Sequence, residues 1–190
     1  MIAGLLLAAG GARRFGSQKL LALLDGTPIV RRSAETLAAE TDELSVVVGS
    51  DAEPVRRALD GVAAHLVENA GWERGLSSSL AAGIRALRPE VDAIVIGLGD
   101  QPSVDREVIR RVILRWRETQ QAIVSARYRG VRSHPVLLAR AVFAEASNAS
   151  GDAGARDLIA RDPSRVEFVD VDTDPPRDVD TTDDLSALQR

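Results

Sequence analysis

The sequence predicts a three-layer α/β fold, a mostly parallel, Rossmann-like sheet with helices on both faces, and three observations lead there. Short, nearly continuous apolar runs recur along the chain, as in strands covered on both sides. Helix-length stretches separate these runs, and strand–helix–strand alternation implies right-handed crossovers in a largely parallel sheet. At 190 residues, 45% hydrophobic and 27% charged, the chain suits one compact domain over residues 1–190 and lacks the bias of a disordered or fibrous sequence.

The elements follow in order. A strand is expected at Leu5–Ala9, a helix at Pro28–Ala39, a strand at Leu44–Val48, a helix at Glu53–Leu59 and a strand at Ala63–Val67. Leu76–Leu87 reads as the next helix and Ala93–Ile96 as the next strand. In the helix expected at Asp105–Trp116, Val108, Val112 and Trp116 recur on one face while Arg110, Arg111 and Arg115 turn elsewhere. Ala122–Ala126 is a further strand and Pro135–Ala146 a further helix. From Asp162 to Asp184 nine acidic residues stand against Arg165 and Arg177, yet Val166–Val171 alternates as a strand does and keeps part of this stretch in the fold.

Composition excludes several classes of function. With 24 basic and 28 acidic residues the net charge is −4, which opposes bulk attraction to nucleic acid or anionic membrane. Aromatics at 3% cannot build a base-stacking platform. Cysteine is absent, so no disulfide or thiolate chemistry is available, and His65 and His134 are too few for a multi-histidine metal site. The apolar run Ile2–Ala9 is far shorter than the ~20 residues of a membrane span and has no basic region before it, so a cytoplasmic protein is expected. No Gly-x-Ser-x-Gly elbow supports a serine hydrolase.

Sheets of this kind bind ligands beyond the carboxyl ends of their strands, which directs attention to the loops there. After the first strand comes Leu7-Ala8-Ala9-Gly10-Gly11-Ala12-Arg13-Arg14-Phe15-Gly16-Ser17-Gln18-Lys19. Glycines let such a loop turn tightly and aim N–H groups at an anion, while Arg14 and Lys19 can neutralise phosphate oxygens. The spacing matches neither G-x-G-x-x-G nor a Walker loop. The chain has 23 arginines and one lysine, and that lysine is Lys19, a compact point charge suited to phosphate. The alternative is a solvated basic loop kept only for turning.

The fourth strand ends in Gly97-Leu98-Gly99-Asp100-Gln101-Pro102. A carboxylate placed there can hold Mg²⁺, which takes one or two carboxylates plus substrate phosphates, although a turn alone also selects Asp and Pro. Asp178 and Asp180 share one face if their segment is extended, and Thr181 or Thr182 can cap a last helix with Asp183 and Asp184 in its first turn. Capping and solubility also account for that cluster. Ser77-Ser78-Ser79 opens a helix where one serine suffices for capping, while three hydroxyls beside free N–H groups can read a pyrimidine edge or a phosphate. Arg127, Arg129 and Arg132 are either a solvated face or a positive lip for an acceptor's phosphate.

Together these segments resemble the MobA-like nucleotidyltransferase family, and within it the cytidylyltransferases that act on molybdopterin. Leu7-Ala8-Ala9-Gly10, Arg14, Gly16 and Lys19 match the signature L-A-A-G-x-S-x-R-M-G-x-x-K, with Ala12 at the usual Ser and Phe15 at the usual Met. Gly99-Asp100-Gln101-Pro102 is similar to G-D-M/Q-P, and Asp178–Leu185 to D-I-D-T-P-E-D-L with Thr182 at the Pro. Gly75–Leu80 is similar to G-M-S-S-S-L, His134–Leu138 to G-H/N-P-V-L-F, and Gly151–Arg156 to G-D-x-G-A-R. The motifs keep their order from Ile2 to Leu185.

The resemblance implies a Mg²⁺-dependent nucleotidyltransferase. It would move CMP or another nucleotide from a nucleoside triphosphate to a phosphorylated acceptor such as molybdopterin and release pyrophosphate. A molybdoenzyme or its maturation chaperone is the implied protein partner. By the same carry-over, Lys19, Arg14 and Asp100 are catalytic. Leu7, Ala8, Ala9, Gly10, Gly11, Arg14, Lys19, Ser77, Ser78, Ser79, Gly99 and Asp100 bind the nucleotide. Gln101, Pro102, His134, Asp152 and Arg156 face the acceptor, and Asp100 and Asp180 hold the metal. Ala9 stands where the guanylyl branch has Gly, which points to CTP. The alternatives are a nicotine-blue-type NAD(P)H oxidoreductase, a label carried by some similar chains, a sugar-phosphate nucleotidyltransferase and a non-catalytic nucleotide-binding regulator. No nicotinamide fingerprint is present.

Overall fold

The structure, a computed structural model, describes residues 1–10, 19–49, 52–149, 151 and 155–189. In chain order its elements are β1 (Ile2–Ala8), β2 (Leu23–Leu24), β3 (Thr27–Pro28), α1 (Ile29–Ala38), β4 (Glu43–Val48), α2 (Ala52–Ala58), β5 (His65–Glu68) and α3 (Leu76–Arg85). There follow β6 (Ala93–Leu98), α4 (Arg106–Thr119), β7 (Ile123–Tyr128), β8 (Val131–Ala139), α5 (Phe143–Ser147), α6 (Arg156–Arg161), β9 (Val166–Val171) and α7 (Thr182–Leu188). Seven strands form one sheet in the order β5-β4-β1-β6-β8-β7-β9, and β2 and β3 pair separately. Every pairing in the large sheet is parallel except those made by β8.

The three layers follow from the two-residue period of a strand. All seven residues of β1 are buried. Ile2, Leu6 and Ala8 join one core with Val30 and Leu37 of α1, Val55 of α2 and Val108 and Val112 of α4. Ala3, Leu5 and Leu7 point the other way, toward Leu80 of α3, Phe143 of α5 and Leu158 of α6. Successive side chains of one buried strand thus serve two cores, which is why the strands read as unbroken apolar runs. The expected mostly parallel sheet, with helices on both faces, is the fold observed.

One expected element is corrected. Pro135–Ala146 is not a helix: Val131–Ala139 is β8, inserted between β6 and β7, and only Phe143–Ser147 is α-helical. Arg129 and Gly130 have φ of 46° and 87°, the pair of positive values that a two-residue hairpin turn requires, and they return the chain antiparallel to β7. Pro135 is tolerated in a central strand because the register of β7 and β8 slips there. Ser125 faces Val136 while Ala126 faces Ser133, so His134 and Pro135 form a bulge and no ladder bond needs the missing N–H.

Arg127 and Arg129 are not a free lip. Arg127 pairs with Asp170 of β9 through two bonds of 2.6 and 2.8 Å, and Arg129 reaches Asp172 and Asp174. Beyond β9 the chain crosses back to the end of β6. There the amide of Val179 donates to the carbonyl of Asp100 at 2.9 Å, and the fully buried Val179 side chain packs with Leu24 and Ile29. Thr181 then caps α7 in a capping box with Asp184.

Candidate active site

In strand order, β4 and β5 lie on one side of β1 and β6 on the other, so the crossover direction reverses between β1 and β6. A crevice opens at the carboxyl ends of the strands at such a point. Leu7 and Leu98 are in register there, and the amide of Gly99 extends the pairing to the carbonyl of Leu7 at 3.0 Å. A Cβ on Gly99 would sit 3.1 Å from that of Ala8 and 3.3 Å from Leu20 Cδ2, so glycine is what lets Asp100 emerge so close to β1.

Three charged groups from distant parts of the chain meet at this point. Lys19 Nζ donates to Asp100 Oδ2 at 2.7 Å and to Asp180 Oδ1 at 2.8 Å. The Lys19 and Asp100 side chains are 12% and 22% exposed, whereas Asp180 is 51% exposed, so the cluster is largely closed at Lys19 and Asp100 and open to solvent on the side of Asp180. Burial pushes the Asp100 carboxyl up; the Lys19 ammonium opposes this and the charge of Asp178 adds to it. Burial also works against the Lys19 ammonium, but Asp100 and Asp180 outweigh it and hold its pKa above the ordinary lysine value.

Asp100 lines the first of two cavities that share Leu76 and Leu98 as a common wall, and Gln101 and Asp178 line the second; Lys19 and Asp180 line neither. The first, of about 460 Å³, is lined by Leu7, Ala9, Gly10, Trp72, Glu73, Gly75, Leu76, Ser79, Leu98 and Asp100. Of the three serines only Ser79 lines it, and the Asn69 amide donates to Ser79 at 3.1 Å and to Ser78, which lines neither cavity, at 2.9 Å. The Ser78 hydroxyl contacts the carbonyls of Gly71 and Gly75, and no serine side chain caps α3.

The second cavity, of about 270 Å³, has Arg132, His134, Arg156, Gln101 and Asp178 around an apolar floor that includes Val136 and Ile159. Gln101 Nε2 donates to Asp178 Oδ1 at 2.7 Å, which ties the acid after β9 to the end of β6. The His134 ring is held neutral: burial lowers its pKa to about 4, Asp178 opposing and Arg156 reinforcing the shift.

The sequence-derived candidates are therefore sorted by place. Leu7, Ala9, Gly10, Ser79 and Asp100 line the first cavity, and Gln101, His134 and Arg156 line the second. Ala8 faces the opposite core beneath Gly99, Ser77 is fully buried, and Pro102 is buried and lines neither cavity. Gly11, Arg14 and Asp152 lie outside the described residues. Asn69, Trp72 and Glu73 were not among the candidates, whereas Arg132, one of the three arginines read as either a solvated face or an acceptor lip, lines the second cavity. The loop Asn69–Glu73 carries one of only two tryptophans, a signal of a built wall, but nothing local shows which wall. Among the described residues, no three of His, Cys, Asp and Glu come together as a metal cage, and no helix is long and apolar enough to cross a membrane.

The family model described as the MobA-like NTP transferase domain matches residues 4–166. The chain belongs to that family. It is 32% identical to nicotine blue oxidoreductase of Paenarthrobacter nicotinovorans, over 98% of this chain and 96% of that protein. It is 33% identical to molybdenum cofactor guanylyltransferase of Burkholderia vietnamiensis, over 58% of this chain and 54% of that one. The crystal structure of Rv0371c from Mycobacterium tuberculosis H37Rv superposes with a TM-score of 0.86 at 34% identity, covering 99% of this chain and 96% of that one. Rv0371c has also been solved in complex with manganese; that structure gives a TM-score of 0.81 at 32% identity, covering 99% and 97% of the two chains.

Proposed function

We propose that this MobA-like NTP transferase is a cytoplasmic, single-domain enzyme that moves a nucleoside monophosphate, CMP by preference, onto a phosphorylated acceptor of the molybdopterin kind. The observation that supports this most is the meeting of Lys19, Asp100 and Asp180 at the switch point, between a polar cleft on the β1 side and a second cavity on the β8 side. The first cavity takes the nucleoside triphosphate, with its phosphates toward Lys19 and Asp100. The second takes the acceptor, whose phosphate is drawn by Arg132 and Arg156.

A phosphate oxygen of the acceptor attacks the donor's α-phosphorus in line, the bond to the bridging oxygen breaks, and pyrophosphate leaves with its electron pair. The nucleophile is already ionised at neutral pH, so no general base is required. Positioning by the two cavities and charge stabilisation by Lys19 supply the protein's share of the rate. The acids fit a hard divalent cation, since their donors are carboxylate oxygens alone and Asp100 carries a burial cost that a second positive charge relieves. Asp100 and Asp180 would hold Mg²⁺ or Mn²⁺, which when bound neutralises the donor phosphates, with phosphate and water oxygens completing the shell.

The preference for CTP rests on the resemblance at Ala9, a residue that lines the donor cleft. A guanylyltransferase among the relatives makes GTP the competitor to test. A thermal-shift panel of the four nucleoside triphosphates with Mg²⁺, followed by pyrophosphate release on adding molybdopterin, tests the proposal. Stabilisation by CTP and release only with acceptor are expected, and absence of stabilisation by any triphosphate would refute the assignment. The full-length similarity to nicotine blue oxidoreductase supports a second reading, reduction of a pigment-like substrate. Oxidation of NADH or NADPH by the purified protein in the presence of such a substrate would favour it over transfer.

A further inference from the structure

The same ammonium cannot do two things at once. Lys19 lies on both of the acids assigned to the metal, at 2.7 and 2.8 Å, and a divalent cation gripping those two oxygens would need the volume that Nζ fills. Two cations a few ångströms apart on one pair of carboxylates repel strongly in a partly buried setting. We infer that Lys19 is the resting occupant of the metal position, displaced onto phosphate oxygens only when a metal-bound triphosphate arrives, so that metal enters with the nucleotide rather than ahead of it. The inference rests on the nucleotidyltransferase reading and describes the order in which its ligands load.

The surroundings suit such a switch. Leu20 is 7% exposed and anchors the 3-10 turn Lys19–Leu21 in the core, so the backbone at Lys19 can stay fixed while its four-carbon stem swings. The destination is close, because Asp100 itself lines the donor cavity. Departure is easiest on the side of Asp180, the more exposed partner. In the resting protein the acids already have a counter-ion, so a bare metal ion must compete with it. A triphosphate changes the balance by offering the ammonium a new set of oxygens. A planar arginine fork would be less able to release and re-form such contacts, and at this one position the chain departs from its otherwise exclusive use of arginine.

Because the chain has a single lysine, ¹⁵N-lysine labelling of the parent protein gives one side-chain ammonium signal that needs no assignment. That signal should stay in place on adding Mg²⁺ alone and move on adding CTP with Mg²⁺. In parallel, Mn²⁺ binding is read by electron paramagnetic resonance. Lys19→Met should bind bare Mn²⁺ about tenfold more tightly than the parent, and the advantage should vanish or reverse once CTP is present. Equal affinities for bare Mn²⁺, or a lysine signal moved as far by Mg²⁺ alone as by CTP with Mg²⁺, would overturn the inference while leaving the transferase reading intact. If neither protein takes up Mn²⁺ even with CTP, the metal-dependent reading itself fails and takes this inference with it. Should Lys19→Met not fold, the labelling experiment on the parent decides alone.

Discussion

Asp180 reaches the site only because Val179, one residue before it, is pinned, and shortening that pin is a direct test of how the site is assembled. Val179 is fully buried, yet among the described residues its cluster contains only Leu24 and Ile29 as other buried members, with Leu185 and Leu188 packed at the edge. Val179→Ala removes two methyl groups, about 1.6 kcal/mol of transfer free energy at ~0.8 per carbon, and the remaining cavity raises this to about 2–3 kcal/mol. Those contacts hold the last segment rather than the sheet, so the loss should appear as local opening more than as global unfolding. The reporter is the Val179 amide, bonded to the carbonyl of Asp100 at 2.9 Å. Its hydrogen exchange should accelerate about 30- to 160-fold, the factor equivalent to 2–3 kcal/mol, while amides of β1 and β6 change little. Transfer activity should fall alongside, because Asp180 leaves with the segment. Unchanged exchange at Val179, or acceleration spread equally over β1 and β6, would refute the local-pin reasoning.

Four further outcomes follow. Lys19→Ala should lose about 2–4 kcal/mol of transition-state stabilisation, roughly 30- to 900-fold in turnover, and a purified variant with parental kinetics would remove Lys19 from its role. Asp100→Asn should be almost inactive and lose its dependence on metal concentration; an unchanged magnesium titration would count against the assignment. The His134 pKa is lowered to about 4, so its stabilising effect is fully present above about pH 6.5, the unfolded value, and is lost as pH falls toward 4. Urea midpoints should accordingly decline more steeply between pH 6.5 and 5 in the parent than in His134→Gln, and parallel declines would contradict the burial argument. Gly83→Ala would set a methyl 2.5 Å from Leu5 Cδ1 and 3.1 Å from Val47 Cγ2 inside the core, so despite the better helix propensity of alanine it should destabilise by about 1–3 kcal/mol in urea melts.

What could be read from sequence divides along the range of the interactions involved. β1, β4 and β6 announce themselves because burial on both faces is a local property, and Asp100 follows because a carboxylate just past a buried strand has one place to be. β8 does not, since Val136-Leu137-Leu138 fits a strand or a buried helix equally. Pro135 argues against a central strand until the bulge beside it is known, and the hairpin turn is Arg-Gly rather than a common turn pair. The charged segments were ambiguous for the same reason. Read separately, the arginines of β7 suggest an anion site and the acids after Asp162 a solvated tail, but Arg127 and Arg129 meet Asp170, Asp172 and Asp174 and the two signals cancel. Those exposed pairs contribute little stability. Their effect on function is by subtraction: with three acids of the tail engaged at the β7–β9 edge, Asp178 and Asp180 are the ones carried back to Asp100. Asp178 is taken by Gln101 and Asp180 by Lys19. Three carboxylates, Asp100, Asp178 and Asp180, are thereby gathered at the end of β6, where a phosphate ligand and its cation would have to meet them together.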